Sequence, residues 1–383
     1  MNLPLDPMML LSVVNMNLRD RYASLSDFCT AEDMTHNMHN LQTLRGAKVR
    51  NGLLWSKAVD TAIERYGDQV EVSFSTHHWP TWGNERIVNY WEAQRDMYRY
   101  LHDQTLHLAN RGLTPDEIAE EMKLPASLAS QFNCRGYYGT LSHNVKAQYD
   151  LYFGWFDGNP AHLNPLPPSE LGAKYVEAIG GADKVLEVAK ASYAKGEYRW
   201  VATLLDNLVF AEPENKEARQ LLADTYSQLG YQAESGPWRN FYLTGAQDLF
   251  KKNVPYTSKL INDGVLSQMD MGTLLDYCAI QLNGEKAGGK EAVININFTD
   301  TKEKVMLMLN NGVLNHRLGS QDKKADLTME IAKMDFVKLF FGRTDLQTLH
   351  KTNKVKTTGD TKAIDIIRSA CEPADPNFNI VLP

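Results

Sequence analysis

The sequence predicts an α/β module, an all-α module and an α+β module in a chain of 383 residues. Three observations support this fold class. Residues 70–75 alternate apolar and polar side chains, as a half-buried strand does, between segments with a helical pattern. Small residues recur along amphipathic helices in the middle of the chain. Strand-like segments with hairpin spacing fill much of the last third. We place the modules at residues 1–165, 166–250 and 251–383.

The charge balance argues against a nucleic-acid-binding protein. The formal net charge is −7 and the pI is about 5.8. Residues 112–132 have the spacing of a helix-turn-helix, but they carry four acidic side chains and one lysine. Contacts with a phosphate backbone require the opposite sign. We therefore interpret this segment as a structural helical hairpin.

The spacing of the cysteines and the hydropathy of the chain indicate the cellular compartment that the protein suits. The cysteines Cys29, Cys134, Cys278 and Cys371 are widely scattered and form no CxxC pair. This spacing argues against a zinc ribbon or a disulfide framework and suits a cytoplasmic protein. No run of about 18 apolar residues predicts a membrane span. The N-terminal apolar patch follows an Asp-Pro pair rather than basic residues, which argues against a signal peptide.

In the first module, two histidines directly follow the predicted strand. His77 and His78 lie where open α/β folds place their ligands, just past a strand end. Adjacent residues of a strand point in opposite directions, so only one of them is expected to face a given site. The alternative is a structural role for the pair. A helix is predicted over 84–109, and Thr114 is predicted to cap another that begins at Pro115.

A second candidate cluster occupies residues 29–46. If this segment is helical, Glu32 shares one face with His36, with His39 or Asn40, and with Thr43. A carboxylate and an imidazole one turn apart can hold a transition metal. The alternative is a capped helix with solvated histidines.

Two further side chains suit an ester or oxyanion site. Arg45 follows Asn40 by five residues, and a guanidinium beside a carboxamide suits sulfate, phosphate or carboxylate. The alternative is a surface arginine. His143 follows two tyrosines in a glycine-flanked segment and is a candidate proton donor to a leaving oxygen. The alternative is a packing histidine that is bonded to backbone carbonyls.

The other two modules have clearer structural than chemical signals. Helices in the second module follow the pattern of a tetratricopeptide-type hairpin, with a turn at 213–215. In the third module we expect strands at 292–298, 304–310, 313–318 and 325–331 in a small antiparallel sheet, followed by a helix at 333–342. Its core is rich in Met, Leu and Phe, which suits either ordinary packing or a cavity for an alkyl chain.

Long segments of the chain resemble the linear alkyl sulfatases of the metallo-β-lactamase superfamily. The strings that carry the resemblance are "AEDMTHNMHNLQTLRGAKVR", "HHWPTWGNERI", "LHDQTLHLANRG", "RGYYGTLSHNVKAQYDLYFGWFDGNPAHLNPLPP" and "GYQAESGPWRNFYLTGAQDL". The resemblance implies a partial metallo-β-lactamase-like catalytic domain, a helical dimerisation domain and a sterol-carrier-protein-like C-terminal domain. It also implies hydrolysis of primary alkyl sulfate esters with two zinc ions, in a homodimer.

The resemblance implies roles for individual residues. Glu32 and His77 match metal ligands of the family, Asn40 and Arg45 match positions that hold the sulfate, and His143 is the candidate proton donor.

The chain departs from the family in one respect. The family's zinc motif His-x-His-x-Asp-His is not in this sequence, and residues 1–22 contain no glutamate and do not resemble the family. Two donors are too few for a zinc pair. We therefore expect little or no sulfatase activity from this polypeptide alone. The alternative is a non-catalytic remnant that dimerises and binds amphiphiles.

Overall fold

A computed structural model describes residues 27–250, 262–375 and 378–383. The described residues form two compact units. Unit 1 comprises 27–250 together with 379–383, and unit 2 comprises 262–375 together with 378. The predicted boundary between residues 165 and 166 falls inside unit 1. The boundary at 250/251 and the N-terminal apolar patch fall at or within segments outside the described residues.

The first part of unit 1 combines a small sheet with helices. The strands β1 (Asp27–Cys29), β2 (Val72–Phe74) and β3 (Thr81–Trp82) form a sheet in that order. β1 and β2 are parallel, and β3 is antiparallel to β2. The helices are α1 (Gly52–Tyr66), α2 (Asn84–Ala109), α3 (Pro115–Glu121), α4 (Ala126–Ala129) and α5 (Leu141–Phe153), with 3₁₀ turns at Phe132–Cys134 and Pro160–His162.

Two local predictions in this part are confirmed. α2 covers residues 84–109 as predicted and buries one face, including Trp91 and Tyr98, in the core. α3 begins at a capping box, in which the Thr114 hydroxyl accepts from the Glu117 N–H and the Glu117 carboxylate accepts from the Thr114 N–H. Such a box satisfies N–H groups that a helix start leaves without partners.

The second part of unit 1 is helical, as the sequence predicts. Its helices are α6 (Pro168–Ile179), α7 (Ala182–Ala194), α8 (Tyr198–Ala211), α9 (Lys216–Gln232) and α10 (Gly236–Asp248). The predicted turn ends at Asn215, whose side chain caps α9. Val381 and Leu382 return to this part and pack against its apolar core. Unit 1 is therefore built from two separate stretches of the chain.

Unit 2 is an α+β unit. Its helices are α11 (Asp263–Gln268), α12 (Met271–Ala279), α13 (Gly284–Ala287), α14 (Lys333–Phe340), α15 (Leu346–Lys351) and α16 (Lys362–Ser369). Its strands are β4 (Ala292–Phe298), β5 (Lys304–Asn310), β6 (Val313–Leu318), β7 (Leu327–Ile331) and β8 (Val355–Gly359). The four strands predicted from the sequence are thus confirmed, with small differences at the start of β7.

The sheet of unit 2 is mixed rather than antiparallel, and this part of the prediction is wrong. The strand order is β6-β5-β4-β7-β8, and β4 and β7 run parallel. A parallel pair needs a crossover connection, which the hairpin spacing of the sequence does not reveal. Between β5 and β6, Asn311 and Gly312 have φ angles of 53° and 75°, as a two-residue type I′ turn requires.

Candidate active site

The candidate site lies beyond the carboxyl ends of β1 and β2. The Thr30 N–H donates to the Phe74 carbonyl at 2.9 Å, and the Thr76 N–H donates to the Ala31 carbonyl at 2.9 Å. The parallel pairing thus continues past both strands. Glu32 directly follows Ala31, and His77 directly follows Thr76. The fold therefore brings the two predicted metal ligands to the same end of the sheet.

Both loops hold a non-glycine residue in the left-handed region. The φ angles are 45° at Ala31 and 66° at His77. The loop at His77 is fixed by two hydrogen bonds, from the Thr35 hydroxyl to the Thr76 carbonyl at 2.6 Å and from Asn37 Nδ2 to the His77 carbonyl at 3.2 Å. Left-handed residues of this kind cost about 1–3 kcal/mol each and persist where the surroundings determine them, often at functional sites.

Residues 29–46 form no helix, and the predicted common helical face is wrong. After β1 the segment consists of turns and irregular backbone. Its polar backbone groups bond to distant partners: the Leu41 N–H donates to Asn144 Oδ1 at 2.7 Å, Asn144 Nδ2 donates to the His39 carbonyl at 3.0 Å, and the His39 N–H donates to the Tyr98 hydroxyl at 3.0 Å. Each side chain of the cluster is therefore positioned separately.

The predicted ligands differ in exposure. Glu32 is half-buried and His77 is exposed, with its ring stacked on Tyr138 at a centroid distance of 4.1 Å. Asn40 is buried, whereas Arg45 is exposed. Tyr138 belongs to the segment that precedes His143, so two of the predicted segments meet here.

His143 has both ring nitrogens engaged. Nε2 lies 2.6 Å from the Gln42 carbonyl oxygen, and Nδ1 accepts the Trp238 indole N–H at 3.0 Å. A carbonyl oxygen can only accept, so the ring proton resides on Nε2. Burial also lowers the pKa of His143. This is the geometry of the packing alternative, and a proton-donating role for His143 stays a prediction.

Unlike His143, His39 has one ring nitrogen without a hydrogen-bond partner among the described residues. Its Nδ1 lies 2.8 Å from the Asn40 carbonyl oxygen and therefore carries the proton, while Nε2 is buried without a partner among the described residues. Burial lowers the pKa of His39 to about 4. Its ring lies 5.3 Å from that of His77 and 4.6 Å from that of Tyr138. The sequence offered His39 only as an alternative to Asn40, because burial is not visible in a local pattern.

Arg50 is a second side chain that the sequence did not single out. Its Nη1 donates to the Asn40 carbonyl at 3.2 Å and lies 3.5 Å from the Thr43 hydroxyl. The guanidinium sits over the Trp55 ring at 5.7 Å. A cation is thus fixed next to Asn40, whereas the predicted Arg45 extends into solvent.

A cleft of about 570 Å³ opens beside these loops. His36 lines it, with its ring stacked on Tyr90 at 4.5 Å and its Nδ1 3.1 Å from the Thr81 hydroxyl. Burial lowers the pKa of His36 to about 4, with further contributions from His78 and Arg86. The other lining residues are His78, Trp79, Glu85, Arg86, Asn89, Tyr90, Gln131, Phe132 and Asn133. The cleft therefore combines aromatic surface with amide groups and one arginine.

The donor set does not fit a pair of zinc ions. Catalytic zinc takes three protein ligands and a water molecule. Within the ranges that the structure describes, no group of three or more His, Cys, Asp or Glu side chains is arranged to hold a metal ion. Glu32 and His77 share one end of the sheet, but these two donors leave even one zinc ion short of protein ligands. We therefore assign no chemical step to a metal at this site.

Three family models match the chain. The model described as alkyl sulfatase dimerisation matches residues 114–252, and the model described as alkyl sulfatase C-terminal matches residues 259–383. A third, described as a domain of unknown function, DUF4250, matches residues 4–40. Among the helices of the described ranges, none has the length and apolar character that a bilayer crossing requires.

The curated relatives are alkylsulfatases. A linear primary-alkylsulfatase of Pseudomonas sp. is 47% identical over 355 residues, and an (R)-specific secondary-alkylsulfatase of Pseudomonas sp. is 43% identical over 362 residues. An alkyl/aryl-sulfatase of Saccharomyces cerevisiae is 42% identical over 353 residues. Each match covers 92% of this chain and 52–54% of the relative. The chain thus spans about half the length of the curated relatives that it matches.

A solved structure shows the same fold. The stereoselective inverting sec-alkylsulfatase of Pseudomonas sp. superposes with a TM-score of 0.88 at 41% identity, over 94% of this chain and 56% of that one. The two alkyl sulfatase models together account for most of the chain, and the sequence and structural matches cover 92–94% of it. The chain therefore belongs to the alkylsulfatase family and includes its dimerisation and C-terminal domains.

Proposed function

We propose that this chain supplies the sulfate-binding part of a site that hydrolyses primary alkyl sulfate esters to an alcohol and sulfate. The observation that carries the proposal is that Glu32 and His77 follow the same ends of a parallel strand pair. The His39 ring lies 5.3 Å from that of His77, and Asn40 is the next residue in the chain. The names of the relatives support the reaction class. Because the described residues lack a full zinc-binding donor set, we further propose that the chain has little or no activity alone.

Asn40 is the proposed anchor for the sulfate group. Its Oδ1 accepts from the Thr43 hydroxyl at 3.4 Å, which orients the carboxamide. Its Nδ2 donates to no acceptor in the described part of the chain, so it is available to an ester oxygen. Arg50 adds a fixed positive charge beside the Asn40 backbone, and the exposed Arg45 is the alternative cation. Fixed donors of this kind stabilise charge that develops in a transition state.

Zinc dependence is also a proposal. Glu32 offers a carboxylate and His77 an imidazole, both of which suit zinc. Their shared position past β1 and β2 supports a role as two ligands of a site completed by further donors.

The 114–252 region is proposed to form a homodimer. It exposes several large apolar side chains, among them Trp200 at 50% and Tyr231 at 69% of their maximal surface. Exposed apolar area in a region that matches a dimerisation model suits an interface with a second copy. Light scattering after gel filtration tests this proposal, and a mass of one chain at micromolar concentration contradicts it.

The C-terminal domain is the part of the chain in which the alternative function, amphiphile binding, would be sought. Its core is filled by strand and helix side chains, and its described cavity of about 240 Å³ is smaller than typical ligand pockets of about 300–1,000 Å³. Ordinary packing is therefore the better interpretation of this core, and amphiphile binding without catalysis remains the alternative function.

One experiment separates the proposals. Purified chain is incubated with zinc and dodecyl sulfate, and sulfate release and zinc content are measured. We expect no turnover and fewer than two zinc ions per chain. Turnover at an ordinary enzymatic rate with two bound zinc ions contradicts the inactivity. Dodecyl sulfate binding at the C-terminal domain with no zinc supports the alternative.

A hybrid tests the positive part of the proposal. Residues 27–383 are joined to the part of the Pseudomonas linear primary-alkylsulfatase that the match leaves uncovered. We expect this hybrid to release sulfate from dodecyl sulfate, and Asn40→Ala or His77→Ala to reduce kcat/KM by about 100-fold or more. Asn110→Ala, at the end of α2, is the matched control and is expected to leave the rate unchanged. An inactive but folded hybrid contradicts the proposed function.

A further inference from the structure

A second constellation of chemically active side chains lies between α2 and α5. His102 is 7% exposed, and both of its ring nitrogens are hydrogen-bonded. Nδ1 lies 2.7 Å from Asp103 Oδ1, and Nε2 lies 2.9 Å from the Tyr152 hydroxyl. The carboxylate accepts the Nδ1 proton, so Nε2 accepts the proton of the Tyr152 hydroxyl.

The tyrosine oxygen and the carboxylate are held from other directions as well. Asn51 Nδ2 donates to the Tyr152 oxygen at 3.1 Å, which orients the hydroxyl proton towards His102. Arg99 Nε donates to Asp103 Oδ2 at 2.6 Å. Although burial alone would raise it, the hydrogen bonds from His102 and Arg99 hold the pKa of Asp103 below its ordinary value. The carboxylate therefore stays ionised and keeps His102 in one tautomer.

This arrangement has the signature of an activated nucleophile. A hydroxyl lies within hydrogen-bond reach of an imidazole base, and a third group orients that base. Tyr152 is 43% exposed, so an external reagent can reach its ring. A purely structural role, in which these hydrogen bonds hold α2 against α5, requires no reactivity. The two roles therefore differ in how fast Tyr152 is expected to react with an electrophile.

We propose that Tyr152 is a nucleophilic tyrosine, activated by His102 and Asp103, that takes an uncharged aromatic sulfonyl electrophile. The phenol oxygen forms a bond to sulfur while the bond from sulfur to its leaving group breaks. The phenol proton passes to His102 Nε2 and from there to solvent. Exposed apolar side chains close to the site in sequence suit an aromatic carrier: Phe153 follows Tyr152 at 45% exposure, and Leu54, three residues after Asn51, is 54% exposed. This site does not depend on the proposed hydrolase function.

The test is covalent labelling of the intact chain with benzenesulfonyl fluoride, in which fluoride is the leaving group. Labelled tyrosines are quantified by peptide mass spectrometry over time. Tyr175 and Tyr231 are internal controls, because they are 51% and 69% exposed and bond to no histidine within the described ranges. We expect Tyr152 to be labelled at least about 10-fold faster than either. Labelling that follows exposure, with Tyr231 fastest, overturns the proposal.

Variants distinguish activation from accessibility. His102→Gln removes the base and is expected to reduce the labelling rate of Tyr152 to that of the control tyrosines. Asp103→Asn changes a more exposed residue and is expected to reduce the rate by a smaller factor, so it decides the matter if the first variant does not fold. Circular dichroism checks both folds. A folded variant of either kind that labels at the original rate overturns the proposal.

Discussion

Gly139 makes the closest approach between two loops of the candidate site. A Cβ atom at this position would lie 2.6 Å from both the carbonyl carbon and the oxygen of His39, and 2.7 Å from the Asn40 nitrogen. All three are backbone atoms, so no side-chain rotation relieves the contact. The Gly139 N–H also donates to the Met38 carbonyl at 2.7 Å. Gly139→Ala must therefore separate the two loops.

The expected cost follows from these two contacts. Overpacking against fixed atoms costs about 1–3 kcal/mol, and the loss of the hydrogen bond about 0.5–1.5 kcal/mol. The sum is roughly 1.5–4.5 kcal/mol of unfolding free energy. For a unit of this size, that loss lowers the unfolding temperature by at least about 3 °C.

The assay is scanning calorimetry, because a protein of two units need not unfold in one transition. We expect the unit 1 transition to move and the unit 2 transition to stay. Gly136→Ala is the matched control in the same loop, since its Cβ would have no contact closer than 3.3 Å. If Gly139→Ala melts within about 1 °C of Gly136→Ala, the close approach does not constrain the site and this reasoning is refuted.

Two further predictions concern pH and the hairpin of unit 2. The pKa values of His36 and His39 are about 4 in the folded chain, below the ordinary value of 6.5, so the unfolded chain binds more protons between these values. Unit 1 is therefore expected to lose stability as pH falls from 6.5 to 4. Asp33 partly offsets this loss, because burial raises its pKa to about 6. The variant His39→Gln should weaken the pH dependence of the calorimetric unfolding temperature, and an unchanged dependence would contradict this reasoning. In the hairpin of unit 2, Gly312→Ala places a Cβ 2.9 Å from a backbone oxygen at a φ of 75°. Measured by urea unfolding, it is expected to destabilise unit 2 by about 1–3 kcal/mol more than Gly319→Ala, whose position has a similar φ but open space. Equal losses in the two variants would contradict this prediction.

Elements specified by nearby residues were predictable from the sequence. The helix over 84–109, the capping box at Thr114 and the type I′ turn at Asn311 each depend on side chains within a few positions. Their physical causes are periodic burial, local capping and positive φ, all of which leave a local pattern.

The candidate site was predictable only in part, because distant partners position it. His77 was correctly expected to lie past a strand end, whereas Glu32 was considered on a helical face and instead follows β1. The helix considered for residues 29–46 does not form, since several backbone groups there bond to the distant residues Tyr98, Asn144 and Arg135. The free nitrogen of His39 and the position of Arg50 depend on that same long-range packing.

The return of Val381 and Leu382 to the helical core has a consequence for biosynthesis. Residues 166–250 leave the ribosome long before these two side chains are made, so the helices must wait with part of their apolar surface uncovered. Deleting residues 379–383 should therefore leave the finished chain with the uncovered apolar surface of the nascent one and make it more prone to aggregation, although β8 and α16 remain intact.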